Sequence, residues 1–182
     1  IPSLISILWH LNNNQLPVTD AIDYLWPAFH IYTDISRLNL FEAIQGLYLE
    51  RGWRPTIFHL FYVPFMVLSN GNILFAVGGV HSLFSLITTI FLFLVFREVF
   101  NKTTAALCAC FIGISSSVIF GGSTIPGFTE VAFISAFTGI IFFLSRGKTI
   151  FKQKEFYLFS ILIFFLFAIR PVEALIYLIL PL

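Results

Sequence analysis

Two aspartates near the start of the chain are the side chains best suited to catalysis. Asp20 and Asp23 stand in the run DAIDY, and most of the chain that follows is strongly apolar. A carboxylate within hydrogen-bond reach of an acceptor hydroxyl can take its proton as the hydroxyl oxygen attacks an anomeric carbon. Sugar transfer from a lipid-linked donor requires this chemistry, so both aspartates are candidate general bases.

Two arginines are candidates for holding the leaving group of such a reaction. A departing lipid phosphate gains negative charge, which Arg or Lys stabilises through charge-assisted hydrogen bonds. Arg54 comes directly before an apolar run, and Arg170 follows another. Because an arginine facing lipid is costly, one at the edge of an apolar span is a functional candidate.

Each of these four residues also has a purely structural interpretation. A carboxylate at Asp20 stabilises the start of a helix through the helix dipole, and Asp23 is equally compatible with a solvated position. Arg54 can extend to the membrane surface along its own aliphatic stem. Arg170 can pair with Glu173 one helical turn away. The residue types alone leave both interpretations open.

Other polar residues in the apolar runs carry weaker signals. His59 and His81 are more typical of satisfied polar residues between helices than of ligands, and Glu130 suits either a helix start or a cavity. Cys108 and Cys110 are interpreted as small buried hydrophobic residues. Because the sequence has no H-x-x-H motif, carboxylate cluster or phosphate loop, it predicts no bound metal or other cofactor.

The composition indicates the elements that must position these residues. Of 182 residues, 58% are hydrophobic and 10% are charged, whereas soluble domains carry about a quarter charged residues. A soluble domain of this size could not hide so much apolar surface, so the lipid bilayer is the expected partner. The net charge of +1, with no separate basic patch, argues against nucleic acid. We predict an all-α, polytopic integral membrane bundle.

Apolar runs of about 20 residues mark the predicted spans. Residues 1–11 are interpreted as the end of a truncated first span, 12–71 as an external loop with interfacial helices, and 72–182 as transmembrane helices. The predicted spans in the last part are Asn72–Phe96, Thr103–Phe120, Pro126–Leu144, Phe156–Ile169 and a truncated Val172–Leu182. We expect the chain to be the N-terminal part of a longer protein.

Lysines and arginines predict the orientation in the membrane. One loop carries Arg97 and Lys102, and a second loop, two spans later, carries Arg146, Lys148, Lys152 and Lys154. Two spans return the chain to the same side, and the positive-inside rule makes that side cytoplasmic. We therefore predict a multi-pass protein of the cell (inner) membrane, with residues 12–71 on the non-cytoplasmic side.

The external region is predicted to contain short helices. One is expected to run from Asp20 and to be kinked or ended by Pro27. A second is expected to open at Ser36 or Asn39. The apolar run 55–68 is too short to span, so we interpret it as a surface-lying or half-inserted helix.

Several short motifs resemble those of the GT-C membrane glycosyltransferases. The likeness is to the dolichyl-phosphate-mannose protein mannosyltransferases and the bacterial lipid A aminoarabinose transferases. These enzymes have an external loop with Asp (often Asp-Glu) and a nearby Tyr, then a basic residue and proline that open an apolar interfacial helix, then a long span with a basic end. The matching pieces here are Asp20 to Tyr24, Arg54–Pro55 to Asn70–Gly71, the span ending at Phe96–Arg97, and Ala168 to Pro171.

The resemblance implies an inverting glycosyltransferase that uses a polyprenyl-phosphate sugar donor on the non-cytoplasmic face. It implies a catalytic role for Asp20 or Asp23 and lipid-phosphate binding by Arg54 and Arg170. Ala21 departs from the pattern, because the family often has Glu there, and a single proline follows Arg54 where two are common. A transporter or flippase is the alternative, and a non-catalytic scaffold is a third. The sequence indicates no oligomeric state.

Overall fold

The computed structural model describes residues 19–49, 56–116, 130–146 and 153–169, and within these ranges the chain is helical, with no β-strand. The all-α prediction is therefore confirmed. The helices are α1 (Thr19–Ser36), α2 (Leu40–Leu49), a 3-10 helix (Thr56–Phe61), α3 (Tyr62–Leu68), α4 (Ile73–Arg97), α5 (Lys102–Ser116), α6 (Glu130–Ser145) and α7 (Gln153–Ile169).

The longest helix, α4, organises the molecule. It begins after Asn72, whose side-chain oxygen accepts a hydrogen bond from the backbone N–H of Phe75 at 3.1 Å. At 1.5 Å per residue, its 25 residues extend about 37 Å, more than the ~30 Å apolar thickness of a bilayer. Within the described ranges, α4 is the one helix both long and apolar enough to cross a membrane. Only 33% of its most apolar 18-residue window is buried inside the protein, unlike the core helix of a soluble domain.

Three further helices extend the packing around α4. Helix α4 packs against α5 and α6, and α6 packs against α7. The α6–α7 approach is close, because a Cβ added at Gly139 would lie 2.8 Å from a methyl group of Leu162. Helices α5, α6 and α7 have 15, 16 and 17 described residues, and α7 begins three residues before the predicted span Phe156–Ile169 and ends with it. The end of the second predicted span and the start of the third lie outside the described residues, as does the fifth.

The 3-10 helix and α3 form one continuous arm that runs antiparallel to α4. The rings of Phe58 and Phe61 lie 6.1 and 5.1 Å from that of Phe84, near the middle of α4. Nearer the start of α4, a Cβ on Gly79 would overlap the ring of Phe65. The arm therefore follows the first half of α4 and stops at the turn that joins it to α4.

Helices α1 and α2 cover this arm. Helix α1 buries Leu25, Ala28 and Ile31 and packs against α2, α3 and the 3-10 helix. It continues through Pro27, so the predicted helix end at this proline is wrong. Proline lacks an N–H and so removes one hydrogen bond, but the buried apolar face continues on both sides. The predicted start of α2 at Asn39 is confirmed, since Asn39 O accepts from Ala43 N at 3.0 Å.

Two helix ends use the same backbone motif with different residues. After α3, Asn70 has φ +51° and the N–H of Gly71 donates to Met66 O at 2.8 Å. After α1, Leu38 has φ +62° and the N–H of Asn39 donates to Asp34 O at 2.8 Å. Both are Schellman motifs, in which the left-handed position favours Gly or Asn. Leu38 in this conformation costs about 1–2 kcal/mol of backbone strain. Burial of its side chain does not offset this cost, because the side chain is 84% exposed.

Candidate functional site

The predicted site residues are only partly within the described structure. Asp20 and Asp23 occupy the first two turns of α1, so both belong to one helix end, but their side chains lie outside the described atoms. Arg54 and Arg170 lie outside the described residues. The predicted roles of these residues as general base and phosphate-binding groups therefore stay predictions.

Arg146 brings the α4–α5 turn, the end of α6 and the start of α7 together at one end of the bundle. Arg146, at the end of α6, places Nε 3.3 Å from an Oε1 of Glu98 in the α4–α5 turn. Its Nη1 lies 4.0 Å from Glu155 Oε1 in the first turn of α7, and its guanidinium carbon lies 4.9 Å from the centre of the Phe142 ring. Exposed ion pairs of this kind contribute little stability, so their main value here is geometric. They show that the α4–α5 turn, the end of α6 and the start of α7 lie at one end of the bundle, which we call the charged end.

The helix that carries the aspartates packs on the other half of the molecule. Tyr32, in the C-terminal half of α1, lies beside Gly71, where an added Cβ would come within 2.9 Å of its ring. Gly71 belongs to the α3–α4 turn, at the opposite end of α4 from Arg97 and the charged end. Helix α1 therefore packs on the arm, with its C-terminal half beside the turn at the end of α4 remote from the charged end.

Hydroxyl groups join α4 to α6 inside the bundle. Thr88 Oγ1 and Ser135 Oγ are 2.7 Å apart, and the Phe84 carbonyl oxygen lies 2.9 Å from Thr88 Oγ1 and 2.7 Å from Ser135 Oγ. Two hydroxyl protons cannot serve all three contacts at once. Either both hydroxyls donate to the carbonyl, or one hydroxyl donates to the other, which in turn donates to the carbonyl. In both arrangements Ser135 supplies a bond that crosses between helices.

Further buried polar side chains lie on the same face of α4. His81 is 1% exposed and Ser85 is 3% exposed, and together with Thr88 they follow the i, i+4, i+7 spacing of one helix face. His59 in the 3-10 helix and Tyr62 at the start of α3 are also buried. The sequence analysis singled out the two histidines but missed the hydroxyl residues. Their spacing within an apolar run was the signal that could have found them.

Aromatic rings form the contact between the arm, α4 and α7. Phe61 and Phe84 lie 5.4 and 6.0 Å from the ring of Phe165 in α7, and Phe58 lies 5.3 Å from that of Tyr62. Ring pairs at these separations contribute about 0.5–1.5 kcal/mol beyond the area that they bury. The buried polar face of α4 therefore lies beside a cluster of aromatic rings.

The described residues contain no group of three or more His, Cys, Asp or Glu side chains placed to hold a metal ion. Comparisons of the sequence with protein-family models and with curated proteins, and of the fold with solved structures, find no match.

Proposed function

We propose that this chain belongs to a multi-pass membrane glycosyltransferase that moves a sugar from a polyprenyl phosphate to an acceptor on the non-cytoplasmic face. The proposal includes a membrane-embedded bundle made of α4, α5, α6, α7 and the apolar runs beyond the described residues. Helix α4 has the length and composition for a span, and α5 and α6 are apolar along most of their length.

The observation that carries this proposal is the difference between the two ends of α4. Arg97, Lys102, Arg146 and Lys154 gather at the charged end, which the positive-inside rule assigns to the cytoplasm. Helix α1, whose first turns carry Asp20 and Asp23, has Tyr32 of its C-terminal half beside the α3–α4 turn at the opposite end of α4. A cytoplasmic basic end, with this helix on the far side of the molecule, supports a transferase with an external carboxylate base.

In this arrangement, the arm formed by residues 56–68 is half-inserted. It contacts α4 from the α3–α4 turn to Phe84, near the middle of the helix. Since α4 is the proposed span, the start of the arm lies at mid-depth in the bilayer, and the alternative of a surface-lying helix is not favoured.

The proposed reaction needs one base and one cationic group. The acceptor oxygen attacks the anomeric carbon, an aspartate takes its proton, and the bond from that carbon to the phosphate oxygen breaks. The polyprenyl phosphate leaves with the bonding electrons, and Arg54 or Arg170 binds its growing charge. Because the acceptor attacks the face opposite the leaving group, the anomeric centre is inverted.

The test is turnover in the full-length protein with single substitutions at the two aspartates. Asp20→Asn should preserve donor binding and lower turnover by about 10²-fold or more, the typical contribution of a general base. Asp23→Asn is the matched control on the same helix, and a loss confined to it would transfer the role of base to Asp23. Full turnover in both single variants and in the double variant would contradict the transferase mechanism.

Arg54→Ala and Arg170→Ala should give a different result from the aspartate variants. The donor phosphate is charged before and during transfer, so loss of a phosphate contact should weaken donor binding as well as turnover. Direct measurement of donor affinity separates the two classes of variant. Unchanged donor affinity in both arginine variants would remove them from the site.

A transporter or flippase is the second candidate, and the polar face of α4 favours it. Polar residues inside a membrane bundle often mark a substrate path, and His81, Ser85 and Thr88 are all buried on that face. A transporter predicts that His81→Ala lowers substrate flux into proteoliposomes, whereas Asp20→Asn leaves it unchanged. If the protein is a transferase, Asp20→Asn should lower turnover more than His81→Ala does.

A further inference from the structure

The start of α2 exposes an apolar face. Leu40, Phe41 and Ile44 are 60%, 72% and 55% exposed. At 100° per residue these three side chains occupy about 100° of the helix circumference, and Glu42 lies about another 100° beyond Phe41. Ala43, on the opposite flank, is buried, and α2 packs against α1. The exposed face is therefore a continuous apolar stripe directed away from the protein.

Leu38 extends this stripe into the turn before α2. It occupies the left-handed position of the Schellman motif that ends α1, and its side chain is 84% exposed. The matching position after α3 is Asn70, the kind of residue that the backbone favours there. A leucine at such a position is strained and gains almost no burial within the protein. Its apolar side chain therefore points to an apolar environment outside the chain.

Other elements at the same end of the molecule share this property. Leu68, at the end of α3, is 77% exposed, and Phe75, at the start of α4, is 44% exposed. The exposed Arg37 directly precedes Leu38. A basic residue beside large apolar side chains on a short helix is typical of segments that lie at a lipid headgroup boundary.

We infer that Leu38, Leu40, Phe41 and Ile44 form a membrane anchor that inserts into the bilayer leaflet at the end of the bundle opposite the charged end. The inference depends on the proposed membrane function, because it needs a bilayer around α4. Helix α2 has 10 residues, about 15 Å, so it lies along the surface and does not cross. Through its contact with α1, the anchor fixes the height of the aspartate-bearing helix relative to the lipid.

The test uses the full chain in vesicles of phosphatidylcholine and phosphatidylglycerol, with Cys108 and Cys110 replaced by serine. An environment-sensitive fluorophore is attached to Phe41→Cys or, as the control on the polar side of α2, to Glu42→Cys. Nitroxide-labelled lipids should quench the Phe41 label at least about twofold more than the Glu42 label, since interfacial helices bury their apolar face about 5–10 Å deep. Equal quenching at the two positions would overturn the anchor.

A third label separates this inference from the proposed function. Leu86 is 48% exposed in the middle of α4, so Leu86→Cys should be quenched strongly if α4 spans the bilayer. Quenching at Leu86 with equal signals at Phe41 and Glu42 would overturn the anchor alone. Absence of quenching at Leu86 would overturn the proposal that α4 spans the bilayer. Absence of quenching at both Leu86 and Phe41 would overturn the anchor as well.

A further variant tests the role of the strained leucine. Leu38→Asn should leave the midpoint of thermal unfolding in detergent unchanged or higher, because asparagine suits the left-handed backbone. In vesicles the same change should reduce quenching of the Phe41 label, because one apolar anchor is lost. An unchanged signal at Phe41 would exclude Leu38 from the anchor.

Discussion

Helix α4 contacts the arm and α6 in different ways. Against α3 and the 3-10 helix, the contact consists of a glycine and aromatic rings: Phe65 lies over Gly79, and Phe58 and Phe61 lie against Phe84. Against α6, the contact includes a buried hydrogen-bonded group formed by Thr88, Ser135 and the Phe84 carbonyl. The first contact depends on shape and the second on directed polar bonds.

The difference indicates how each contact should respond to substitution. A shape-dependent contact tolerates no added volume, because packed side chains have little free space. A hydrogen bond between helices inside a bilayer contributes less than its low-dielectric setting suggests, about 0.6 kcal/mol on average. Substitutions in the α3–α4 contact should therefore have larger effects than those in the α4–α6 contact.

The largest expected effect on stability is that of Gly79→Ala. Its Cβ would overlap atoms that include Cγ of Phe65, which is close to the main chain and cannot swing clear without a change of rotamer. We expect the overlap to cost about 1–3 kcal/mol, partly offset by the roughly 1 kcal/mol advantage of alanine in a helix. The midpoint of thermal unfolding in detergent should fall.

The control for this prediction is the same substitution in a Phe65→Ala background. Without the ring, only the helix propensity of alanine remains, so Gly79→Ala should become neutral or stabilising by up to about 1 kcal/mol. The same destabilisation in both backgrounds would show that Phe65 is not the obstacle, and the shape-dependent contact would be wrong.

A smaller effect is expected for the polar contact between α4 and α6. Ser135→Ala removes the hydroxyl that crosses between the helices and should cost about 0.6 kcal/mol, with about 1.7 kcal/mol as an upper value. Thr88→Val should cost less, since the bond from Ser135 to the Phe84 carbonyl survives. The matched control is Thr138→Val, because Thr138 Oγ1 donates to Ile134 O of its own helix at 2.8 Å. A loss at Thr138 equal to that at Ser135 would contradict a specific role for the crossing bond.

The fold was predictable where local chemistry decides it. The helix predicted over Asn72–Phe96 is confirmed to within one residue as Ile73–Arg97, because an asparagine cap and a basic end bound a long apolar run. The prediction that Pro27 ends the helix was wrong, because the burial of α1 on both sides of the proline is a tertiary property. The left-handed Leu38 was not predictable, since its residue type argues against that conformation.

The candidate site was less predictable than the helices. The residue types of Asp20 and Asp23 point to a base, and both lie at the start of α1, but which side chains converge depends on packing between distant segments. The hydroxyl contact between Thr88 and Ser135 shows the same limit, because the two residues are 47 positions apart. Spacing places Thr88 on a polar face, whereas only the neighbouring helix identifies its partner.

The central claim is that α4 crosses a bilayer with the charged end in the cytoplasm and the α3–α4 turn outside. The direct measurement is labelling of single cysteines in intact cells by a membrane-impermeant maleimide, with Cys108 and Cys110 replaced by serine. Asn70 and Val99 are exposed residues just before and just after α4. Asn70→Cys should be labelled in intact cells, and Val99→Cys only after the cells are permeabilised. Labelling of Val99→Cys in intact cells, with Asn70→Cys protected until permeabilisation, would reverse the orientation and contradict an external catalytic face.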